Sequence, residues 1–585
     1  MWYKDRGWTR VFRQIKLVKY IFAVSFFLVA CRIFQVQILS GFKFSEKSRE
    51  NYLKRFIIPP DRGKIISADG EVLATTYISY DLVSQAVPGI GVMKKLSKIT
   101  GIPESLMRKD IDRALRKKEI LITLAKDIKG RALISIASVI NEFPNLRIIK
   151  APKRFYPFEE IFSHITGYLG PALKDEKAEM PYSYVGALHG KSGIEKTFDR
   201  FLFGKPGGEI LVVDSLSRII QVKGSVHPAP GDEVILTVDS RLQRAAFEAF
   251  DGRHGAAVGL NPKTGAVLLL VSSPGFKPSV FVDPAKGVSE IMKSPDIPLV
   301  NRAIQMKYPP GSAFKIVTSA AALNEGIIDP ADRFLCGGIF KFGRQEFKCW
   351  KEEGHGEVGF MDGFSKSCNV YFYNVALKTG GKNLSKYAHL LGLDLTEFGD
   401  ITGELTATIP GPAWKKKKYK RKWLPGDSIN MGIGQGFLWI TPLQAALMTE
   451  GISQKGVIFK PFLVEKILDG SNNVKYKSHP EIVKKYRLKD ETFELLRSAL
   501  RETVISGTGQ ILNIKNCEIS GKTGTAQNPR GEDHGWFVSA GGGDCGNFCL
   551  VVVVEHGGKG AVSAGPISRK IWEKYINIKF ENEKI

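Results

Sequence analysis

Acidic residues are in short supply. The 585-residue chain holds 59 Asp and Glu against 84 Lys and Arg, a formal charge of +25. That imbalance points to anionic surroundings: nucleic acid, a membrane surface or an acidic polymer. No nucleic-acid-binding module is recognisable, which leaves the membrane and the polymer as the better matches. No serine sits in a G-x-S-x-G elbow, which argues against a Ser-His-Asp hydrolase. Gly521-Lys522-Thr523 imitates the end of a phosphate-binding loop, but the glycine such a loop needs at position 516 is Asn516. Short-period repeats are also lacking. The chain is too long for one core and implies two or three domains.

Long apolar runs are equally rare, and one stands out. Lys4, Arg6, Arg10, Arg13, Lys16 and Lys19 precede or open it, with Asp5 as the single acid. Tyr20 to Cys31 is free of charge, and Ile33, Phe34, Val36, Ile38 and Leu39 extend the run past Arg32, Gln35 and Gln37. Residues 17–39 suffice to span a bilayer, with Lys19 reaching back to the interface. Arg32 is costly in lipid and is expected to face a partner helix or the interface. The positive flank assigns residues 1–16 to the cytoplasm and everything after Ser40 to the outside. A cleaved signal peptide would need small residues where the apolar pattern continues. Leu28-Val29-Ala30-Cys31 has the form of a lipoprotein cleavage box, but apolar residues follow it in place of a polar tether.

The chemistry-bearing residues form three groups. In Pro309-Pro310-Gly311-Ser312-Ala313-Phe314-Lys315, Ser312 and Lys315 share a helix face. A serine hydroxyl needs a base beside it, and a lysine held neutral by its surroundings can serve. Ser312 in the first helical turn leaves its N–H free as an oxyanion donor. Ser367-Cys368-Asn369 comes next, opening the apolar run Val370 to Tyr373. Ser367 can relay a proton and Asn369 can bind a substrate amide. Lys522-Thr523-Gly524-Thr525 is third. Lys522 offers charge to a substrate carboxylate, Thr523 and Thr525 offer hydroxyls, Gly524 permits close approach at an edge strand, and the Thr525 N–H is a second oxyanion donor. Singly, these are helix caps, solvated lysines and a turn. Together and in this order they match the signature of acyl-serine penicillin-recognising enzymes.

The remaining pattern reads as α+β. Asp69-Gly70 marks a hairpin. Residues 232–239 form a strand before a helix with Leu242 and Gln243. Residues 256–260 and 266–272 form strands around Asn261-Pro262-Lys263-Thr264-Gly265. Helices follow Asn369 and Thr441-Pro442, and Phe493, Leu496, Leu500 and Val504 mark another. Strands at 535–540 and 549–554 lie beside the Lys522 strand, and a last helix begins near Pro566. An antiparallel sheet flanked by helices is expected.

The chain resembles class B penicillin-binding proteins from the membrane segment to the last helix. Besides the three catalytic groups, the resemblance rests on Asn301-Arg302-Ala303, Gly432 to Gly436, Thr441-Pro442-Leu443-Gln444 and His534-Gly535-Trp536-Phe537. Asp61-Arg62-Gly63 and Arg154-Phe155-Tyr156-Pro157 resemble the family's non-catalytic pedestal. Within the class it is most similar to the cell-elongation transpeptidases. The resemblance implies a transpeptidase fold over 231–585 and a β-rich pedestal over 42–230, with a head lobe at about 80–175. It implies acylation of Ser312 by a D-Ala-D-Ala stem peptide, cross-linking of peptidoglycan during elongation and shape maintenance, and acylation by β-lactams. Implied partners are a SEDS-type polytopic glycosyltransferase and the rod-shape complex at the inner membrane, with the catalytic domain periplasmic. No part resembles a glycosyltransferase domain.

Seven cysteines are present, and Cys336, Cys349 and Cys368 fall with His355 between the first two catalytic groups. Three thiolates and an imidazole make a complete structural zinc set, although the chemistry itself needs no cofactor. Some relatives bind zinc here. Disulfides such as Cys336–Cys349 or Cys545–Cys549 are the alternative. The basic run Lys415 to Lys422 reads as a solvated loop or as a dock for anionic membrane or wall polymer. Two other functions compete. One is a D,D-carboxypeptidase or β-lactamase-type hydrolase, disfavoured by the large N-terminal region and the lack of an evident deacylating glutamate. The other is a non-catalytic β-lactam sensor or scaffold, disfavoured by the short segment before the membrane run.

Overall fold

The structure is a computed structural model describing residues 5–583 except 118–120, 144, 173–181, 185, 215–218, 283–286 and 530. Residues 1–4 of the expected cytoplasmic tail therefore lie outside the described residues. Two compact units emerge. One comprises Met1–Pro60, Ile78–Pro152 and Lys205–Ala229; the other comprises Asp61–Tyr77, Lys153–Gly204 and Pro230–Ile585.

In the first unit, helix α1 (Asp5–Phe34) runs into a short π-turn, Gln35–Leu39. Arg10–Leu39 is long and apolar enough to cross a membrane. Leu17, Phe22 and Phe26 are exposed at 61%, 74% and 76%. A helix in water would hide one such face, whereas this one is apolar all round. Arg32 donates to Gln35 one turn on, at 2.6 Å, which shelters its charge within the helix itself. Strand Leu53–Ile58 pairs antiparallel with Gly207–Val213, which pairs with Ile219–Val226. A separate small core gathers Leu82, Met93, Leu96, Met107, Ile111 and Ile136. The amphipathic helices Ile90–Thr100 and Glu104–Lys117 supply its middle members.

The second unit begins with a buried ionic knot. Arg62 reaches Glu195 and Asp199, each at 2.6 Å, and Arg154 reaches the other Glu195 oxygen at 2.6 Å. Tyr156 donates to Glu195 at 3.2 Å, and His189 meets Asp199 at 2.7 Å. The sequence landmarks Asp61-Arg62-Gly63 and Arg154-Phe155-Tyr156 thus converge on the Glu195 carboxylate. Burial works to raise Glu195, but Arg154 and Arg62 outweigh it and hold the carboxyl below its ordinary range.

The catalytic part is a five-stranded antiparallel sheet. In chain order its strands are β1 (Gly255–Leu260), β2 (Val267–Ser273), β3 (Glu518–Ala526), β4 (His534–Gly542) and β5 (Phe548–Val554). Their spatial order is β2-β1-β5-β4-β3, which leaves β3 at an edge. Alternation along β1 and β5 sends Ala256, Val258, Val551 and Val553 to one core and Ala257, Leu550, Val552 and Val554 to another. Each fully buried valine contributes about 1.5–3 kcal/mol. Helices α2 (Ser240–Ala249) and α9 (Gly560–Asn582) cover the second face with Leu242, Ile567, Ile571 and Trp572. The first face carries α3 (Lys315–Asn324), α4 (Asn369–Leu390), α7 (Pro442–Ser453) and α8 (Asp490–Ile505). Helix α5 (Pro412–Tyr419) and helix α6 (Pro425–Gly432) lie between α4 and α7 in the chain.

Two sequence expectations change. The last helix begins at Gly560, not near Pro566, which lies inside it. Its start is set by docking, since a Cβ on Gly560 would come within 2.1 Å of the Gly524 carbonyl oxygen. The disulfide joins Cys545 to Cys517, not to Cys549. Cys549 lies in the sheet core, with its thiol on the Ala446 carbonyl. Cys336 and Cys349 are free thiols.

Candidate active site

Ser312 sits in a 3-10 turn, Gly311–Phe314, that feeds α3 at Lys315. In a 3-10 turn, residues three apart eclipse one another, so Ser312 and Lys315 share one edge. The turn is clamped from both sides. Gly311 donates to the Gly434 carbonyl at 3.0 Å, and Trp536 Nε1 donates to the Pro309 carbonyl at 3.0 Å. Gly311 has φ +54, and a Cβ there would lie 2.5 Å from the Thr525 carbonyl oxygen. Only glycine meets both demands. Among the described residues no main-chain acceptor outside the turn takes the Ser312 N–H, consistent with a first-turn position.

Lys315 is fully buried and contacts the second group directly. Its Nζ lies 2.9 Å from the Ser367 carbonyl oxygen, 3.2 Å from Ser367 Oγ and 2.8 Å from Asn369 Oδ1. Burial brings Lys315 down to about 7, against an opposing pull from the Cys368 and Cys349 thiols. All three oxygens accept from Nζ, so burial and not hydrogen bonding is what favours the deprotonated form.

Ser367 has a left-handed backbone, φ +55. The helix cap is Cys368, whose Sγ accepts from the Tyr371 N–H at 3.4 Å. Neither Ser367 nor Asn369 fills that role, which leaves both side chains free to face Lys315. Trp350 Nε1 also donates to the Ser367 carbonyl, at 3.2 Å.

Lys522 projects from edge strand β3 and is also fully buried. Its Nζ lies 3.2 Å from the Thr523 carbonyl oxygen and 5.8 Å above the Phe364 ring. Burial first, and repulsion by Lys315 second, hold it well below lysine's ordinary range. Lys522 has no carboxylate partner among the described residues, so an incoming carboxylate would favour its ammonium form. Thr523 Oγ1 is 2.6 Å from Thr508 Oγ1, and the Thr508 N–H binds the Ser365 carbonyl at 3.1 Å. At Gly524 the close approach comes from the Ser312 turn and from β4, since a Cβ there would lie 2.9 Å from both Pro310 O and Trp536 Cβ. The Thr525 carbonyl points at Gly311, away from β4. A strand residue directs its N–H and C=O to the same side, so the Thr525 N–H faces the Ser312 turn as well.

Beside this site, Cys336, Cys349, His355 and Cys368 place one ligand atom each within 4.8 Å of all the others. Cys336 Sγ and Cys349 Sγ stand 3.5 and 3.6 Å from His355 Nδ1. A tetrahedral zinc with ordinary Zn–S and Zn–N bonds separates sulfur from nitrogen by about 3.6 Å. The residues therefore fit a metal. The Cys368 hydrogen bond and three backbone N–H groups hold the Cys349 thiol below its ordinary range, against the effect of burial. Burial keeps His355 below its ordinary range, hence neutral and able to ligate. Hairpin glycines close the loop: Gly338 and Gly354 have positive φ, and a Cβ on either would strike a carbonyl oxygen at 1.9 or 2.0 Å.

The candidate catalytic, substrate-binding and metal-ligating residues are thus drawn into two adjoining clusters. Trp350, Phe364 and Thr508 were missed. Gly507-Thr508-Gly509 carried a turn signal; an indole and a phenyl ring carry none.

Residues 255–573 match the penicillin binding protein transpeptidase domain, and residues 57–236 match the penicillin-binding protein dimerisation domain. The peptidoglycan D,D-transpeptidase MrdA of Acinetobacter baumannii is 30% identical over 600 residues, covering 98% of this chain and 88% of the relative. A solved peptidoglycan synthase complex, described as coordinating polymerization and crosslinking, aligns with TM-score 0.72 at 27% identity, over 97% of this chain and 98% of its own. The complex between penicillin-binding protein PBP2 and MreC from Helicobacter pylori shares the fold with TM-score 0.76 at 24% identity, over 90% of this chain and 100% of its own. With its catalytic-domain match covering more than half of its length, the chain belongs to the penicillin-binding proteins, in the class B arrangement of dimerisation and transpeptidase domains, and its homologues over most of that length are peptidoglycan D,D-transpeptidases.

Proposed function

We propose that Ser312 is the acyl-accepting nucleophile of a peptidoglycan cross-linking reaction. Neutral Lys315 takes the Ser312 proton as Oγ attacks the penultimate D-Ala carbonyl of a stem peptide. The Ser312 and Thr525 N–H groups hold the oxyanion, each such donor being worth about 10²–10³ in rate. The C–N bond breaks, Ser367 passes the proton to the leaving D-Ala amine, and an acyl-serine ester remains. An acceptor amine then attacks that ester and restores the serine. Asn369 binds the stem-peptide amide, while Lys522 and Thr523 hold the terminal carboxylate. The observation that carries this reading is Lys315, buried, brought down to about 7, and bonded to both Ser367 and Asn369.

Intact-protein mass spectrometry with benzylpenicillin tests it. A stable adduct of the whole antibiotic on Ser312, absent in Ser312→Ala, is expected. Rapid release of hydrolysed drug would favour a hydrolase, and unimpaired wall synthesis by Ser312→Ala would favour a scaffold.

The cysteine cluster is read as a structural zinc site on Cys336, Cys349, His355 and Cys368. When bound, zinc would supply a cross-link and no reaction chemistry. Cys368 adjoins Ser367, so the same ligand set braces the left-handed serine. Residues 17–39 serve as a single-pass inner-membrane anchor, with 1–16 cytoplasmic and the rest periplasmic. The pedestal spans 42–230, with its head lobe at about 80–175, and the catalytic domain spans 231–585. Work in cell elongation beside a SEDS-type glycosyltransferase and the rod-shape complex follows from the resemblance to MrdA and from the synthase and MreC complexes of the relatives.

A further inference from the structure

We propose that the face built on α5 is a docking site for the acidic, peptide-bearing glycan strand, one helix length from the nucleophile. This deepens the transpeptidase reading and rests on it. From Leu405 to Gly426 the chain has no Asp or Glu, while seven Lys and Arg fall between Lys415 and Lys422. Lys415 alone turns inward, onto Asp427 and the Phe437 ring. Lys416, Lys417, Lys420, Arg421 and Lys422 are exposed, and no carboxylate among the described residues pairs with them. Lys416, Lys417 and Lys418 crowd the last turn of α5, and Lys420, Arg421 and Lys422 follow directly past its end at Tyr419. The end of α5 accounts for the cations of its last turn through the helix dipole, but not for the three beyond it.

Aromatic rings lie among these charges. Trp414, Tyr419 and Phe437 form a cluster with centroids 5.1–5.6 Å apart, and the Lys418 ammonium sits 5.1 Å over Trp414. Tyr419, Phe437 and Trp439 remain 43%, 36% and 39% exposed. A loop that needs only solvation has no use for exposed rings. Flat rings for sugar faces, flanked by cations for pendant carboxylates, match a glycan strand carrying stem peptides. The surface is also tied rigidly to the site. Helix α6 starts at the patch and ends at Gly432, whose carbonyl accepts from Thr318 at 2.8 Å; two residues on, Gly434 accepts from Gly311 at 3.0 Å. Eight residues of helix span about 12 Å. Phe437 follows Gln435, whose Nε2 reaches the Thr525 carbonyl at 3.5 Å.

The test uses the full chain in zwitterionic nanodiscs. The probes are uncross-linked glycan strands with intact stem peptides, the same strands stripped of peptide by an amidase, and phosphatidylglycerol vesicles. Wild type should bind the peptide-bearing strands, and more weakly as salt rises. Replacing Lys416, Lys417, Lys420, Arg421 and Lys422 together by Gln should weaken that binding about tenfold or more. Tyr419→Ala should weaken it too, and Arg at the four lysine positions should preserve it. Penicillin acylation should stay at the wild-type rate in every variant. Unchanged binding by the Gln variant, equal binding of stripped strands, or transfer of the preference to the vesicles would overturn the docking surface. Absence of acylation in wild type would instead sink the transpeptidase reading.

Discussion

The protonation of Lys315 makes a quantitative prediction. Burial brings this amine down to about 7. In the proposed mechanism the neutral form is the base, so activity should be lost as pH falls through that value and be full above it. With a single titration at 7, the neutral fraction is about 0.1 at pH 6 and about 0.9 at pH 8, a roughly tenfold rise followed by a plateau. A lysine at its ordinary value would be neutral in only about 0.3% of molecules at pH 8, and the rate would climb roughly a hundredfold over the same interval without levelling. The perturbation is pH alone, and the assay is the second-order rate of acylation by a chromogenic cephalosporin, which reports the free enzyme. A profile still rising tenfold per unit at pH 9 would refute the claim that burial poises Lys315 as the base. Asn369→Ala removes an acceptor that favours the ammonium, and should shift the midpoint lower.

Three further outcomes follow from other parts of the molecule. Purified protein should carry one zinc per chain, and stripping it should lower both the melting temperature and the acylation rate; metal-free protein with unchanged acylation would separate the cluster from the Ser367 strain. Glu195→Ala leaves Arg62 and Arg154 buried without their shared carboxylate, and should cost about 3–5 kcal/mol in denaturant unfolding; a loss under about 1 kcal/mol would show the knot to be dispensable. Gly311→Ala should abolish acylation, because its Cβ would meet the Thr525 oxygen at 2.5 Å and its φ of +54 disfavours any side chain; near-normal acylation would mean that β3 moves aside freely.

Much of this site was legible beforehand because its parts are local. Ser312 with Lys315, Ser367 with Asn369, and Lys522 to Thr525 are short motifs, each carrying its geometry in three or four residues. The five strands and the helix following Asn369 also followed from periodicity and turn residues. The helix starting at Gly560 did not, because its first residue is chosen by contact with β3 and β4, and propensity alone favoured Pro566. The Cys517–Cys545 pairing was missed for a related reason, since residues 28 apart in sequence are brought together only by the fold around β3.

By itself the sequence determined the order of the catalytic groups, the single apolar span, the charge imbalance and the existence of three cysteines and a histidine between two motifs. The tertiary structure decided which of these meet. Lys315 becomes a plausible base only because α3 and α4 bury it against Ser367 and Asn369, and no spacing can state how much water an amine has lost. Cys336, Cys349, His355 and Cys368 become a ligand set only because positive-φ glycines fold the hairpin back onto the start of α4. Desolvation and convergence depend on atoms distant in sequence, which is why local pattern named the participants and three-dimensional packing set their chemistry.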